Sequence, residues 1–300
     1  MKPDYEEIDI MFFDPGLTDV FRDILPGFGS FFSIITELGN EIAFIGLMLI
    51  LYWAVNKKEA ILAAYILVVA ILSNYWLKFL IANERPPSSN WYPGQEPSNY
   101  STPSGHAQSS ITLYGWFATR VRRWWVSAIA IVLTILVGIS RVYLGVHFLG
   151  DVLLGWGIGI VTIVAFVYLE NPARRFLSRY RQDYLLLGLV AIGFVMTLIA
   201  SVLPEPPEDN FGALGGLTMG LALGLVLENR FVNFSVEPQD GKRWRLALRV
   251  IIGMVLVVGV MVGLGLIPGT DAIWPRTIRY MLIALTGIFV WPAIFKRAHL

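Results

Sequence analysis

Long apolar runs separated by short polar stretches make up most of the chain. A helix that crosses the hydrocarbon of a bilayer needs about 20 mostly apolar residues. By that measure the sequence predicts spans at residues 31–54, 60–82, 104–119, 124–144, 148–169, 183–203, 211–227, 247–267 and 277–295. Runs of this length are too long for buried strands, and a membrane barrel would alternate apolar and polar positions instead. The expected fold class is all-α, a polytopic transmembrane helical bundle of about nine spans. Residues 1–30 read differently. Asp4, Glu6, Glu7, Asp9, Asp14, Asp19 and Asp23 interleave with Met11, Phe12, Phe13, Leu17, Val20 and Phe21. That pattern predicts an amphipathic segment at the membrane surface. It lacks the basic start and short apolar run of a cleavable signal peptide.

The polar stretches alternate in charge. One set carries Lys57 and Lys58, Arg120, Arg122 and Arg123, Arg174 to Arg181, Arg230 to Arg249, and Lys296 with Arg297. The other set carries the acidic N-terminus, the Pro-rich loop 83–103, the acidic loop 204–209 and the loop 268–276. Lys and Arg in short loops stay on the cytoplasmic side. The expected orientation therefore puts the N-terminus outside and the C-terminus inside. The basic stretch 171–182 divides the chain into a five-span core, 31–170, and a bundle of four further spans, 171–300. Gly212, Gly215, Gly216, Gly220 and Gly224 in the second part suit close helix packing.

Composition agrees with the pattern. Of 300 residues, 56% are hydrophobic and 15% charged, with mean hydropathy +0.63; a soluble domain carries roughly a quarter charged residues. The formal net charge of +1 gives no argument for a nucleic-acid partner, and none is expected. The absence of cysteine excludes disulfides, thiolate metal sites and cysteine nucleophiles.

Ionisable residues at or inside spans are functional candidates, and here they gather at the outer ends of the first spans. Lys78 and Arg85 stand seven residues apart, and on one helix face they would lie about 10 Å from each other. Pro86 disfavours helical geometry at Arg85, so the helix is expected to end near Asn83. Two snorkelling cations at a helix end would look the same. The stretch Ser101-Thr-Pro-Ser-Gly-His106 opens the third span, with Ser104 near the N-cap. Free N–H groups at such an end bind anions, and Gly105 lets the backbone approach a ligand. A plain capped helix with an interfacial His106 is the alternative. His147 and Asp151 are spaced i, i+4, so on a helix they share a face and can hydrogen-bond. A carboxylate on one imidazole nitrogen fixes the tautomer and frees the other. Arg141 would lie about 240° from His147 on a continuous helix, so convergence requires a turn, and Gly145 is the natural place. Three cations, a helix N-terminus and two histidines in one pocket suit phosphoryl transfer: cations clamp the phosphoryl oxygens and steady the transition state. One histidine would attack, and the other would protonate the leaving oxygen. No carboxylate cluster for Mg²⁺ appears in the outer loops, and neither metal nor cofactor is expected.

Lys-x6-Arg-Pro, Pro-Ser-Gly-His and Ser-Arg-x5-His-x3-Asp, spread over residues 75–155, resemble the signature of the type 2 phosphatidic-acid phosphatase superfamily. That superfamily takes in membrane lipid phosphatases, glucose-6-phosphatase and haloperoxidases. The resemblance implies that Lys78, Arg85 and Arg141 hold phosphate with Ser104 and the Gly105 amide. It implies that His147 attacks phosphorus, Asp151 orients it, and His106 protonates the leaving group. The length and the outside N-terminus resemble the long branch of glucose-6-phosphatase and the sphingosine-phosphate phosphatases. Glu37 and Glu41, on one face of the first span, are candidate pocket residues or a satisfied interfacial pair. The expected activity is hydrolysis of a lipid phosphate or diphosphate on the extracytoplasmic side, with the substrate lipid and membrane lipids as partners. The alternatives are a soluble sugar phosphate as substrate, phosphotransfer to another acceptor, and a transporter or inactive lipid-binding relative.

Overall fold

A computed structural model of the chain describes residues 12–202, 208–238, 241–269 and 272–300, and every structural statement below concerns these. The acidic residues Asp4, Glu6, Glu7 and Asp9 of the expected surface segment lie outside them, as do residues 204–207 of the acidic loop. Among the described residues the fold is all-helical, with no strand. Seven helices are long and apolar enough to cross a membrane, and a bent helix pair adds an eighth candidate. The chain is an integral, multi-pass membrane protein.

The chain forms two compact units. The first takes in residues up to Phe44 together with Tyr65–Tyr168. Here α1 (Leu17–Ile24), α2 (Gly29–Glu37) and the start of α3 (Glu41–Ala54) precede the part of α4 (Lys57–Ile81) from Tyr65 onward. Then come α5 (Gly105–Val121), α6 (Trp124–Tyr143) and α7 (Leu149–Leu177). The expected first span, 31–54, is not one helix: α2 and α3 meet at 48° across Leu38, Gly39 and Asn40. Asn40 starts α3 by accepting the Ile42 N–H on its side-chain oxygen at 3.0 Å, the local competition with helical bonding that Asn offers. The third expected span becomes α5, whose 17 residues cover only about 25 Å. In contrast α7 runs 29 residues, about 43 Å, well past the predicted end at 169 and with Pro172 inside it.

The expected surface segment, where described, is tied to the C-terminal end of α6. Thr18 is buried on α1, and its hydroxyl donates to the Val142 carbonyl at 3.1 Å. Arg22 donates to the carbonyls of Tyr143 at 3.1 Å and Asn90 at 2.7 Å. Thr18 and Arg22, with the apolar Phe21 and Leu25, thus dock α1 onto the turn beside the candidate site.

The second unit comprises Ile45–Ala64 and Leu169–Leu300. In it α8 (Gln182–Ala200) and α11 (Ile273–Leu285) pack on α9 (Glu208–Leu227), with α10 (Trp244–Gly265) and α12 (Trp291–Arg297) completing it. Thr277 donates to the Gly212 carbonyl at 3.0 Å across the α9–α11 contact. Two π-helical turns, Glu228–Val232 and Thr286–Val290, interrupt the regular ladders. Both are held from the 45–64 segment: Lys57 pairs with the fully buried Glu228, and the Trp53 indole donates to the Gly287 carbonyl at 2.8 Å.

Candidate active site

The site is assembled in the first unit, where four stretches of chain meet. The turn that the Arg141–His147 spacing requires is present. Helix α6 ends at Tyr143, Gly145 has φ +71°, and α7 starts at Leu149. A side chain at Gly145 would collide with the Asn90 carbonyl, so only glycine meets both demands of the turn.

His147 and Asp151 meet, though not as two residues of one helix face. His147 precedes α7, while Asp151 sits in its first turn. Its Oδ2 accepts from the Phe148 N–H at 2.9 Å and faces His147 Nδ1 at 3.2 Å. The carboxylate at the third helical position taking the N-cap N–H is one half of a capping box. Ser101 donates its hydroxyl to Oδ2 and Thr102 to Oδ1. Asp151 is fully buried and His147 only 3% exposed, so four donors compensate the buried charge.

The other ring nitrogen, Nε2, lies 3.1 Å from Arg85 Nη1. Burial and the neighbouring charges of Arg85, Lys78 and Arg141 hold the His147 imidazole well below its ordinary pKa, so it is neutral. Burial also pulls the Arg85 guanidinium down to about 10, which leaves it charged near neutrality.

Lys78 and Arg85 do not share a helix face. Helix α4 ends at Ile81, two residues before the expected Asn83, because Ala82 takes a left-handed conformation with φ +50°. The two cations meet instead on one strip of loop. Lys78 donates to the carbonyls of Tyr100 and, at 3.0 Å, Ser101. Arg85 donates to the Asn99 carbonyl at 2.6 Å, the Asn99 side-chain oxygen at 2.8 Å and the Val146 carbonyl at 2.8 Å.

Ser104 is the N-cap of α5, its hydroxyl accepting from the Ala107 N–H at 3.5 Å. Its own N–H donates to the Asp151 carbonyl at 3.0 Å, which joins the α5 start to α7. Behind Gly105, Asn74 bonds the Pro103 carbonyl at 3.2 Å and Gln108 at 2.9 Å. The His106 ring lies beside Gly39, where a Cβ would stand 3.2 Å from it. Arg141 is 6% exposed; its Nη1 donates to Thr36 at 2.6 Å while its Nε has no partner among the described residues. A buried cation with a donor unused is prepared for an anion.

Glu37 and Glu41 fall on separate helices across the bend rather than on one face. Glu37 accepts from Asn40 at 3.1 Å and Glu41 from the Tyr75 hydroxyl at 3.0 Å. Asn99, Ser101, Thr102 and Thr36 contact site residues without having stood out in the sequence. Ser and Thr beside Pro103 read as ordinary helix-start residues, so only proximity to Asp151 marks them. Among the described residues no group of three His, Asp or Glu side chains converges on a metal position.

Fold and site together define a multi-pass helical membrane protein with a buried cluster of cations at one set of helix ends. Residues 59–175 match the PAP2 superfamily, and residues 212–300 match the PAP2 superfamily phosphatase transmembrane extension. The chain thus carries a PAP2 superfamily domain followed by a PAP2 transmembrane extension. It is 35% identical to phosphatidylglycerophosphatase B of Bacillus subtilis over 114 residues, 35% of this chain and 55% of that protein. Against undecaprenyl-diphosphatase of Sulfolobus acidocaldarius it is 31% identical over 42% of this chain and 62% of the relative. Against sphingosine-1-phosphate phosphatase 1 of Mus musculus identity is 26%, over 75% of this chain and 57% of the relative. The matches thus span between 55% and 62% of the length of these curated relatives.

Proposed function

We propose that the chain is a membrane phosphatase that hydrolyses a lipid phosphate monoester or diphosphate through a phosphohistidine at His147. The observation that carries this reading is the setting of His147: Nδ1 faces the buried Asp151, and Nε2 lies 3.1 Å from Arg85. A neutral imidazole with its lone pair on Nε2 is a nucleophile aimed at the group that the cations hold.

In the first step Nε2 forms a bond to phosphorus, and the bond from phosphorus to the lipid oxygen breaks. With the negative charge of the bound phosphate offsetting the cations, His106 carries a proton and gives it to that departing oxygen. In the second step water attacks phosphorus, His106 takes a proton from it, and the N–P bond breaks to release phosphate. Arg85, Arg141 and Lys78, with Ser104 and the Gly105 amide, hold the phosphoryl oxygens and neutralise the charge of the transition state. The reaction as written draws on no metal.

Two observations favour a lipid. The names of all three relatives denote phosphatases of lipid phosphates. The first unit also carries an apolar groove of about 710 Å³ between α4 and α7, bordered by Phe13, Val69, Gly150, Leu154, Gly157 and Val161. It begins beside Asp151 and follows α7 for about 17 Å, over half of a ~30 Å hydrocarbon core. We assign it to the hydrocarbon chain of an isoprenyl, diacylglycerol or sphingoid phosphate. The alternation of basic and acidic loops supports a site on the non-cytoplasmic face.

The test is phosphate release by detergent-purified protein with EDTA present. Isoprenyl diphosphate, phosphatidate, sphingosine phosphate and glucose 6-phosphate form the panel, and His147→Ala is the control. Release from a lipid that the substitution abolishes, with an acid-labile phosphoenzyme trapped on the wild type, is the expected result. Preference for glucose 6-phosphate would overturn the lipid assignment. Activity surviving in His147→Ala would overturn the mechanism.

A further inference from the structure

The break in the first span lies against the site. Thr36, in the last turn of α2, is 2% exposed, and its hydroxyl oxygen accepts from Arg141 Nη1 at 2.6 Å. Its carbonyl accepts the Gly39 N–H at 2.9 Å, which closes the end of α2 just before the bend. Gly39 is buried between Val137 and the His106 ring. A Cβ there would stand 2.5 Å from Val137 on α6 and 3.2 Å from the His106 ring. Val137 lies one helical turn before Arg141 on α6. The close approach at Gly39 therefore presses α2 against α6 at the height that brings Thr36 to the guanidinium.

We propose that Thr36 is a positioning residue for phosphate binding. It holds one corner of the Arg141 guanidinium so that the unused Nε edge is presented to the phosphoryl group. A guanidinium is a planar fork, and fixing Nη1 fixes the direction of its remaining donors. A long flexible side chain without that anchor would spend binding energy on being ordered when the anion arrives. None of the three sequence stretches that carry the chemistry includes Thr36; its role comes only from the bend. The inference rests on the reading of Arg141 as a phosphate ligand.

Thr36→Val keeps the shape and removes the acceptor, whereas Thr36→Ser keeps the acceptor. The readouts are the inhibition constant of inorganic phosphate and the rise in Tm that phosphate gives the full-length protein in detergent. Thr36→Val is expected to weaken phosphate inhibition about tenfold, the scale of one charge-assisted hydrogen bond, and to shrink the phosphate-induced rise in Tm. Thr36→Ser should stay within about twofold of wild type, since it keeps that bond. A Thr36→Val protein with a lower Tm but a wild-type phosphate inhibition constant would overturn the inference and leave the site reading intact. A wild type that phosphate neither inhibits nor stabilises would overturn both.

Discussion

Replacing Asp151 by Asn separates charge from geometry at the centre of the site. The carboxylate accepts from Phe148 N–H at 2.9 Å, faces His147 Nδ1 at 3.2 Å, and takes the hydroxyls of Ser101 and Thr102. The Asn oxygen can occupy the Oδ2 position and keep the bonds to Phe148 and His147. Its NH₂ then faces Thr102, whose hydroxyl can rotate to become an acceptor. Helix start and imidazole orientation survive, and the loss is the negative charge beside the ring. A hydrogen bond to a charged group is worth about 1.5–3 kcal/mol against about 0.5–1.5 for a neutral one. The difference, roughly 1–2 kcal/mol, acts when the imidazole acquires positive character on bonding phosphorus. It corresponds to a fall of about five- to thirtyfold in the rate of phosphoenzyme formation. The assay is rapid-quench formation of acid-labile phosphoprotein in a single turnover, with Tm measured alongside. Asp151→Ala, which strands four donors inside the protein, should instead lower Tm severely. A phosphorylation rate for Asp151→Asn within twofold of wild type would refute the assignment of Asp151 as the group that steadies charge on His147.

Further predictions follow from the same geometry. The depressed pKa of His147 keeps it deprotonated below its ordinary value of 6.5, so the acid limb of the kcat/KM profile should lie below pH 6.5. Activity falls only as pH drops through the folded-state pKa, and a half-point above 6.5 would contradict the burial argument. Gly157 borders the groove and a side chain there meets open space. Gly157→Trp should therefore raise KM for a long-chain phosphate while leaving a short, soluble phosphate ester unchanged; equal effects on both would remove the groove from substrate binding. Gly145→Ala places a Cβ against the Asn90 carbonyl at φ +71°. It should cost about 1–3 kcal/mol of stability, read as a lower Tm with reduced activity.

How far the sequence foretold the site depends on what each residue is bonded to. The apolar runs announced the helices because bilayer thickness sets their length. The i, i+4 spacing brought His147 to Asp151 even though His147 is off the helix, because Asp151 caps the helix that His147 precedes. Pro86 signalled that Arg85 leaves the helix, but the direction of its side chain comes from three carbonyl and amide oxygens on loop 99 and turn 146, and no local pattern records such distant acceptors. The bend at Gly39 was hidden for a similar reason. Leu38-Gly39-Asn40 sits inside an apolar run, where glycine is common in spans, and its packing against Val137 is tertiary. Thr36 could be found only after that bend was known.

The bond between Asp151 and the N–H that starts α7 has a bearing on descent within the superfamily. The same carboxylate secures the start of a long helix and the aim of the histidine, so selection on either would keep it. A lineage that gave up the reaction while keeping the membrane scaffold would be free to discard His147 or His106 and would still be under pressure to keep the acid. An aspartate at this place in a relative therefore testifies to an intact helix start, and the histidines are the better witnesses to surviving chemistry.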